Sequence, residues 1–141
     1  YCKINTYLKE VISILSDAFD YVVIDGEAGI EQINRRVMEK VTHLILVTDP
    51  SKKGCQVIET IKGVANELVM YDRIGAVVNR MADSSLKNYI HIDGIEVLSY
   101  IPDDRHLSMF DIQGENIFNL PEASPVVQGV RRALCRMGVP V

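Results

Sequence analysis

The feature that most constrains this chain is a set of four short, continuous apolar runs rich in β-branched residues: Tyr21 to Ile24, Leu44 to Val47, Ile74 to Val78 and Val97 to Ile101. A strand with one wet face alternates apolar and polar residues, whereas an unbroken run fits a strand covered on both faces, as in a parallel sheet. Each run is followed by a stretch with helical periodicity. The longest stretch covers residues 52 to 69, where Val57, Ile61, Val64 and Leu68 form a stripe behind Pro50-Ser51. The last helix has the clearest start: Ser124 can cap it, Pro125 suits its first position, and Val126, Val130, Leu134 and Met137 form the expected buried face. Ahead of the first run, Ile4, Leu8, Val11, Ile12 and Leu15 predict an amphipathic helix over residues 3 to 17. Strand then helix, four times over, specifies an α/β fold with a mostly parallel, doubly wound sheet and helices on both faces.

A length of 141 residues with 48% hydrophobic content supports one compact domain, residues 1 to 141. The formal charge of −4 gives no general positive field, so neither nucleic acid nor an anionic membrane is expected as a partner. No apolar run approaches the roughly 20 residues that span a bilayer, and no signal-peptide pattern opens the chain, so a cytoplasmic location is expected. Cys2, Cys55 and Cys135 are an odd, scattered set and are expected to be reduced; Cys55 and Cys135 fall in helical segments as small core or surface residues. His43, His91 and His106 have no ligand spacing between them. The chain opens at Tyr1 and runs straight into a helical pattern, so the natural N-terminus is expected elsewhere.

Ligands of open parallel sheets bind at the carboxyl ends of the strands, which directs attention to the residues after each run. These are Asp25-Gly26-Glu27-Ala28-Gly29, Thr48-Asp49-Pro50-Ser51, Asn79-Arg80 and Pro102-Asp103-Asp104. An aspartate closing a buried apolar strand is the Walker-B arrangement, which holds Mg²⁺, often through water, at the terminal phosphates. Asp25 is that candidate; the alternative is that Asp25-Gly26 merely turns the chain. Gly29 could bring a backbone N–H close to a γ-phosphate. Asn79 both donates and accepts, as adenine recognition requires, and could equally be a turn asparagine. Arg80 stands beside it as a second nucleotide-binding candidate. Pro102 and Asp103 would border base and ribose, although a proline after a strand is commonly a terminator.

Triphosphate binding in such a fold needs a glycine-rich loop with a lysine and a hydroxyl. No two glycines here are separated by four residues, so G-x-x-x-x-G-K-[ST] cannot be placed. Lys52-Lys53-Gly54 reverses the order and is read as a solvated helix start. The chain by itself is therefore not expected to hydrolyse ATP.

The segments VVIDGEAGIEQINRR, LILVTDPSKKG, GAVVNR and YIPDD occur in this order in the MinD/ParA/NifH-type ATPases. Within that group the chain most resembles CooC-type proteins, accessory ATPases for nickel insertion into carbon monoxide dehydrogenase. The resemblance covers essentially the whole chain and the C-terminal half of the family's length. It implies a P-loop NTPase-like fold lacking the N-terminal P-loop strand, ATP and Mg²⁺ as cofactors, a homodimeric parent, and carbon monoxide dehydrogenase or a related nickel enzyme as partner. Asp25 then matches the Walker-B residue, Gly29 the switch glycine, Asn79 the adenine-reading asparagine, and Pro102-Asp103 the base-flanking segment. CooC-type proteins carry a Cys-x-Cys pair that can hold Ni²⁺ or Zn²⁺ between subunits; Cys2 stands where the second cysteine would be. The family's P-loop strand sits between the Walker-B strand and the strand at Leu44 to Val47. Without it, the chain is expected to be reorganised there, or shortened by proteolysis.

Two other functions compete. Arg131, Arg132 and Arg136 give the last helix a basic amphipathic pattern compatible with a MinD-like or ParA-like partitioning ATPase, against a plain sheet-covering helix with solvated arginines. A non-catalytic interaction domain is the third reading.

Overall fold

The computed structural model describes residues 2–26 and 40–141, with side chains from residue 6 onward. Two compact units are present, residues 1–42 with 60–72, and residues 43–59 with 73–141. In the first, α1 (Cys2–Ala18) matches the expected amphipathic helix, with Val11 and Ile12 half-buried. The following segment corrects the sequence reading. Residues 21–26 form neither helix nor strand, and Val23 is 93% exposed. A buried parallel strand must pass its N–H and C=O groups to a neighbour, and the sheet of described strands contains no partner for Tyr21 to Ile24.

The other three runs form strands: β1 (Lys40–Thr48), β2 (Met70–Met81) and β3 (Val97–Pro102), in the order β1-β2-β3. Helix α2 (Lys52–Leu68) connects β1 to β2. Strand β2 pairs in parallel with β3, with Val77 opposite Ser99, Val78 opposite Tyr100 and Met81 opposite Pro102. Its run Ala76-Val77-Val78 is buried throughout, as an unbroken apolar strand between two neighbours should be. No α-helix follows β2, contrary to the fourfold strand-helix expectation. The short connection instead makes a 3-10 turn over Ser84–Tyr89, started by Asp83, whose carboxylate accepts from Ser85 N at 2.7 Å.

Beyond β3 come α3 (Arg105–Gln113) and α4 (Pro125–Arg136). Ser124 does cap α4, its Oγ accepting from Val127 N, with Pro125 at the first turn. The buried face of α4 agrees with the expected one at Val126, which packs against the core, and at Met137, which is buried, but Gly129 and Ala133 complete it in place of Val130, which is 46% exposed. Small residues win because close approach is what the interface demands. A Cβ on Gly129 would stand 2.5 Å from Ile101 Cγ1. The resulting core contains Val77, Leu98, Ile101, Ala133 and Met137. The His43 ring, on β1, meets Met137 O at the end of α4 at 3.1 Å, a favourable position for an imidazole N–H.

Candidate functional site

In the second unit, three strand tips meet at one edge of the sheet, each set by its own local chemistry. At the end of β1, the Asp49 carboxylate accepts from Ser51 N at 3.0 Å and Ser51 Oγ at 2.5 Å, and Gly54 N donates to Ser51 Oγ at 3.0 Å. The Ser51 hydroxyl and amide hold the Asp49 carboxyl below its ordinary pKa, and the Arg80 guanidinium on β2 adds a smaller pull in the same direction. Lys52 and Lys53 are exposed at the start of α2, as expected. Gly54 is more than a helix start. A Cβ there would lie 2.3 Å from Thr48 Oγ1 and 2.5 Å from Asp49 Oδ1, so any other residue must displace the Thr48 and Asp49 side chains that close the loop over the helix.

The tip of β2 is irregular. The β2–β3 register shifts between Val78 and Met81, and Arg80 takes φ 59°, a left-handed conformation that costs an ordinary residue about 1–2 kcal/mol. Asn79 Oδ1 accepts from Arg80 N at 2.9 Å, steadying the bulge and leaving the half-buried amide NH₂ as a donor. Met81 then returns to the ladder, and its carbonyl accepts from Asp103 N at 3.0 Å. Asn79, Arg80, Pro102 and Asp103 are thereby brought together. Asp25 is exposed and lies in the other unit, in the segment without strand pairing. Gly29 and the Cys2 side chain lie outside the described residues.

Sequence reasoning missed Asp104. Only 7% exposed, it caps α3 by accepting from His106 N at 2.9 Å and Leu107 N at 3.3 Å. Its other oxygen accepts from Ser124 Oγ, and from Val126 N at 3.4 Å. Burial pushes its pKa up, but these hydrogen bonds outweigh burial and hold the carboxyl below the ordinary range. One carboxylate thus fixes the starts of both α3 and α4 behind the Pro102-Asp103 edge. The signal in the sequence is an aspartate directly ahead of a helical stretch, Asp104-Arg105-His106, which is the pattern of an N-cap.

Among the described residues, no three His, Cys, Asp or Glu side chains form a metal-holding group. Cys55 is buried, and that burial, with Glu59 and Asp49 nearby, pushes its thiol pKa up, so it behaves as a small core residue. No described helix is long and apolar enough to cross a membrane.

The solved structure of the MinD cell division protein of Aquifex aeolicus superimposes with a TM-score of 0.72, covering 97% of this chain and 62% of that one at 21% identity. The fold is that of a MinD-like P-loop NTPase. An uncharacterized ATP-binding protein of Methanocaldococcus jannaschii is 34% identical over 134 residues, 92% of this chain and 53% of its own length. The carbon monoxide dehydrogenase accessory protein CooC of Rhodospirillum rubrum is 30% identical over 112 residues, 78% of this chain and 42% of its own. The relatives of this MinD-like chain are ATP-binding proteins of the MinD/ParA type, and the chain spans about half the length of the curated relatives it matches. No family model matches it.

Proposed function

We propose that this chain is the adenine-reading C-terminal portion of a MinD/ParA-type ATPase of the CooC kind, whose parent assists nickel insertion into carbon monoxide dehydrogenase or a related enzyme. The observation that carries the reading is the joined tip of β2 and β3. There the Asp103 N to Met81 O bond draws the base-flanking Pro102-Asp103 against Asn79 and Arg80. In this reading the Asn79 NH₂ donates to a ring nitrogen of adenine, and the second lone pair of its carbonyl accepts from the exocyclic amine. Pro102 supplies a stiff, apolar border for the base. Arg80 contributes positive charge at the same edge, offset in part by Asp49.

ATP supplies the phosphoryl group whose loss would drive the parent's conformational cycle. Mg²⁺ would be held by Asp25 through water, with Gly29 as the switch glycine. Both assignments rest on the order of the motifs and the similarity to CooC, as does the homodimer with Cys2 contributing to a Ni²⁺ or Zn²⁺ site.

Calorimetric titration of the 141-residue chain tests the base site directly. Adenosine, AMP and ATP should bind within about threefold of one another, because no phosphate loop is present, and all more tightly than guanosine. Asn79→Ala should weaken adenosine binding about tenfold to a hundredfold, the value of two hydrogen bonds. Equal binding of adenosine and guanosine would remove the reading. The nickel assignment is tested by the nickel content of carbon monoxide dehydrogenase made with and without the parent gene. Sedimentation with anionic vesicles that depended on Arg131, Arg132 and Arg136 would instead favour a positioning ATPase.

A further inference from the structure

A groove of about 780 Å³ runs beside β3 in the second unit, and four cations reach it: Lys87, Arg131, Arg132 and Arg136. The chain as a whole is acidic, with a formal charge of −4, and no carboxylate is among the described residues lining this groove. Two of the cations are occupied elsewhere. Arg131 pairs with Glu122 at 2.8 Å, while Arg136 donates to Val97 O at 2.7 Å and lies 3.7 Å from Glu96. Lys87 and Arg132 have no ion pair among the described residues. Beneath them, Ser99 is 4% exposed, and its hydroxyl has no hydrogen-bond partner among the described residues. Buried polar groups are otherwise almost always satisfied, so an orphaned hydroxyl lining a cationic concavity calls for an acceptor from outside.

We infer that this groove binds a small organic anion, its phosphate or carboxylate head meeting Lys87, Arg132 and the Ser99 hydroxyl and its apolar body lying along the floor at Leu98. Like charges gathered around a low-dielectric concavity repel one another, and an anion relieves that repulsion. The volume lies within the range of about 300–1,000 Å³ usual for small-molecule sites, and an apolar floor under a few polar groups is their usual lining. Duplex nucleic acid fits worse. Its phosphates need an exposed cationic row, and two of the four cations here are already tied to carboxylates. The groove adjoins the proposed adenine site at Met81 and Pro102, but its cations are distinct from that site, since Asn79, Arg80 and Asp103 do not line it.

Two-dimensional ¹⁵N NMR titration of the full chain, with phenyl phosphate, phenylacetate, inorganic phosphate and benzyl alcohol as probes, tests the inference. Saturable shifts are expected at the amides of Lys87, Ser99 and Arg132 with the aromatic anions. Phenyl phosphate or phenylacetate should bind about tenfold more tightly than inorganic phosphate or benzyl alcohol, and whichever of the two is tighter identifies the head group. Lys87→Gln with Arg132→Gln, both at exposed positions, should weaken the preferred anion about tenfold. Ser99→Ala should weaken it about threefold, with an unchanged melting curve confirming the fold. Adenosine should not displace it, so loss of the adenine site and loss of this one are read apart. The inference is overturned if the Lys87 and Arg132 double variant binds unchanged, if benzyl alcohol binds as tightly as the anions, or if duplex DNA shifts the same amides at lower concentration.

Discussion

Two segments of this chain carry the same sequence signal, an apolar β-branched run ending in a polar residue, and they have different outcomes. Ile74 to Val78 lies in the middle of the sheet, with Val78 fully buried, and its tip is tied to Asp103 through Met81. Tyr21 to Ile24 is outside the sheet, and Val23 is 93% exposed. The difference shows that such a run specifies a demand for neighbours rather than a strand. Where ladder partners exist on both sides, the run is buried; where none is described, the same chemistry stays open to water.

The sharpest way to break this comparison is to place the same charge in both runs. Val78→Asp puts an unpaired carboxylate into the sheet and should cost more than about 4 kcal/mol, enough to unfold a marginal domain. Val23→Asp should stay within about 0.5 kcal/mol in urea unfolding of the same chain. A large cost at Val23 would mean that this run is buried in solution.

Asp104 sets the next largest effect. Asp104→Ala removes a helix cap and two further hydrogen bonds from a buried carboxylate, an expected loss of about 2–4 kcal/mol. Because its folded pKa is depressed, the stabilisation is present above the unfolded value of about 3.9 and is lost as pH falls through the folded value. Asp104→Asn should therefore flatten the acid limb of the stability curve below about pH 4 and leave its shape near neutrality unchanged. Gly54→Ala is smaller. Helix propensity favours alanine by about 1 kcal/mol, but the added Cβ meets Thr48 Oγ1 and Asp49 Oδ1, so a net loss of about 1 kcal/mol is expected.

Much of this was legible from residues alone. The runs at Leu44, Ile74 and Val97, the helix behind Pro50-Ser51 and the Ser124-Pro125 start were all readable, because periodicity and capping are local properties. The closeness of Asn79 to Pro102-Asp103 followed from a general property of parallel sheets, that strand tips share an edge. What could not be read depended on distant partners. The face of α4 was assigned by hydrophobicity, yet Gly129 faces the sheet because Ile101 needs the space, and nothing near Gly129 in sequence reveals Ile101. The pairing of Tyr21 to Ile24 likewise depends on a neighbour rather than on the run. Asp104 escaped notice because it sits among tip residues expected to face a ligand, while its carboxylate turns inward to two helix starts.

The smallest expected effect bears on the tip of β2 itself. Arg80 holds a left-handed backbone conformation, and residues so placed concentrate where function requires a particular geometry. Glycine removes the penalty of about 1–2 kcal/mol but gives back about 0.5–1 kcal/mol through the freer unfolded chain, so Arg80→Gly should stabilise the fold by about 0.5 kcal/mol. Arg80→Ala keeps the strain and should leave stability nearly unchanged. If the bulge exists to present Asn79, both variants should retain the adenosine preference, because the Asn79 Oδ1 bond is to a backbone N–H that each preserves. If Arg80→Gly instead destabilised the chain, the guanidinium and its attraction to Asp49 would be holding the tip, and the β2 edge would be built by charge rather than by backbone geometry.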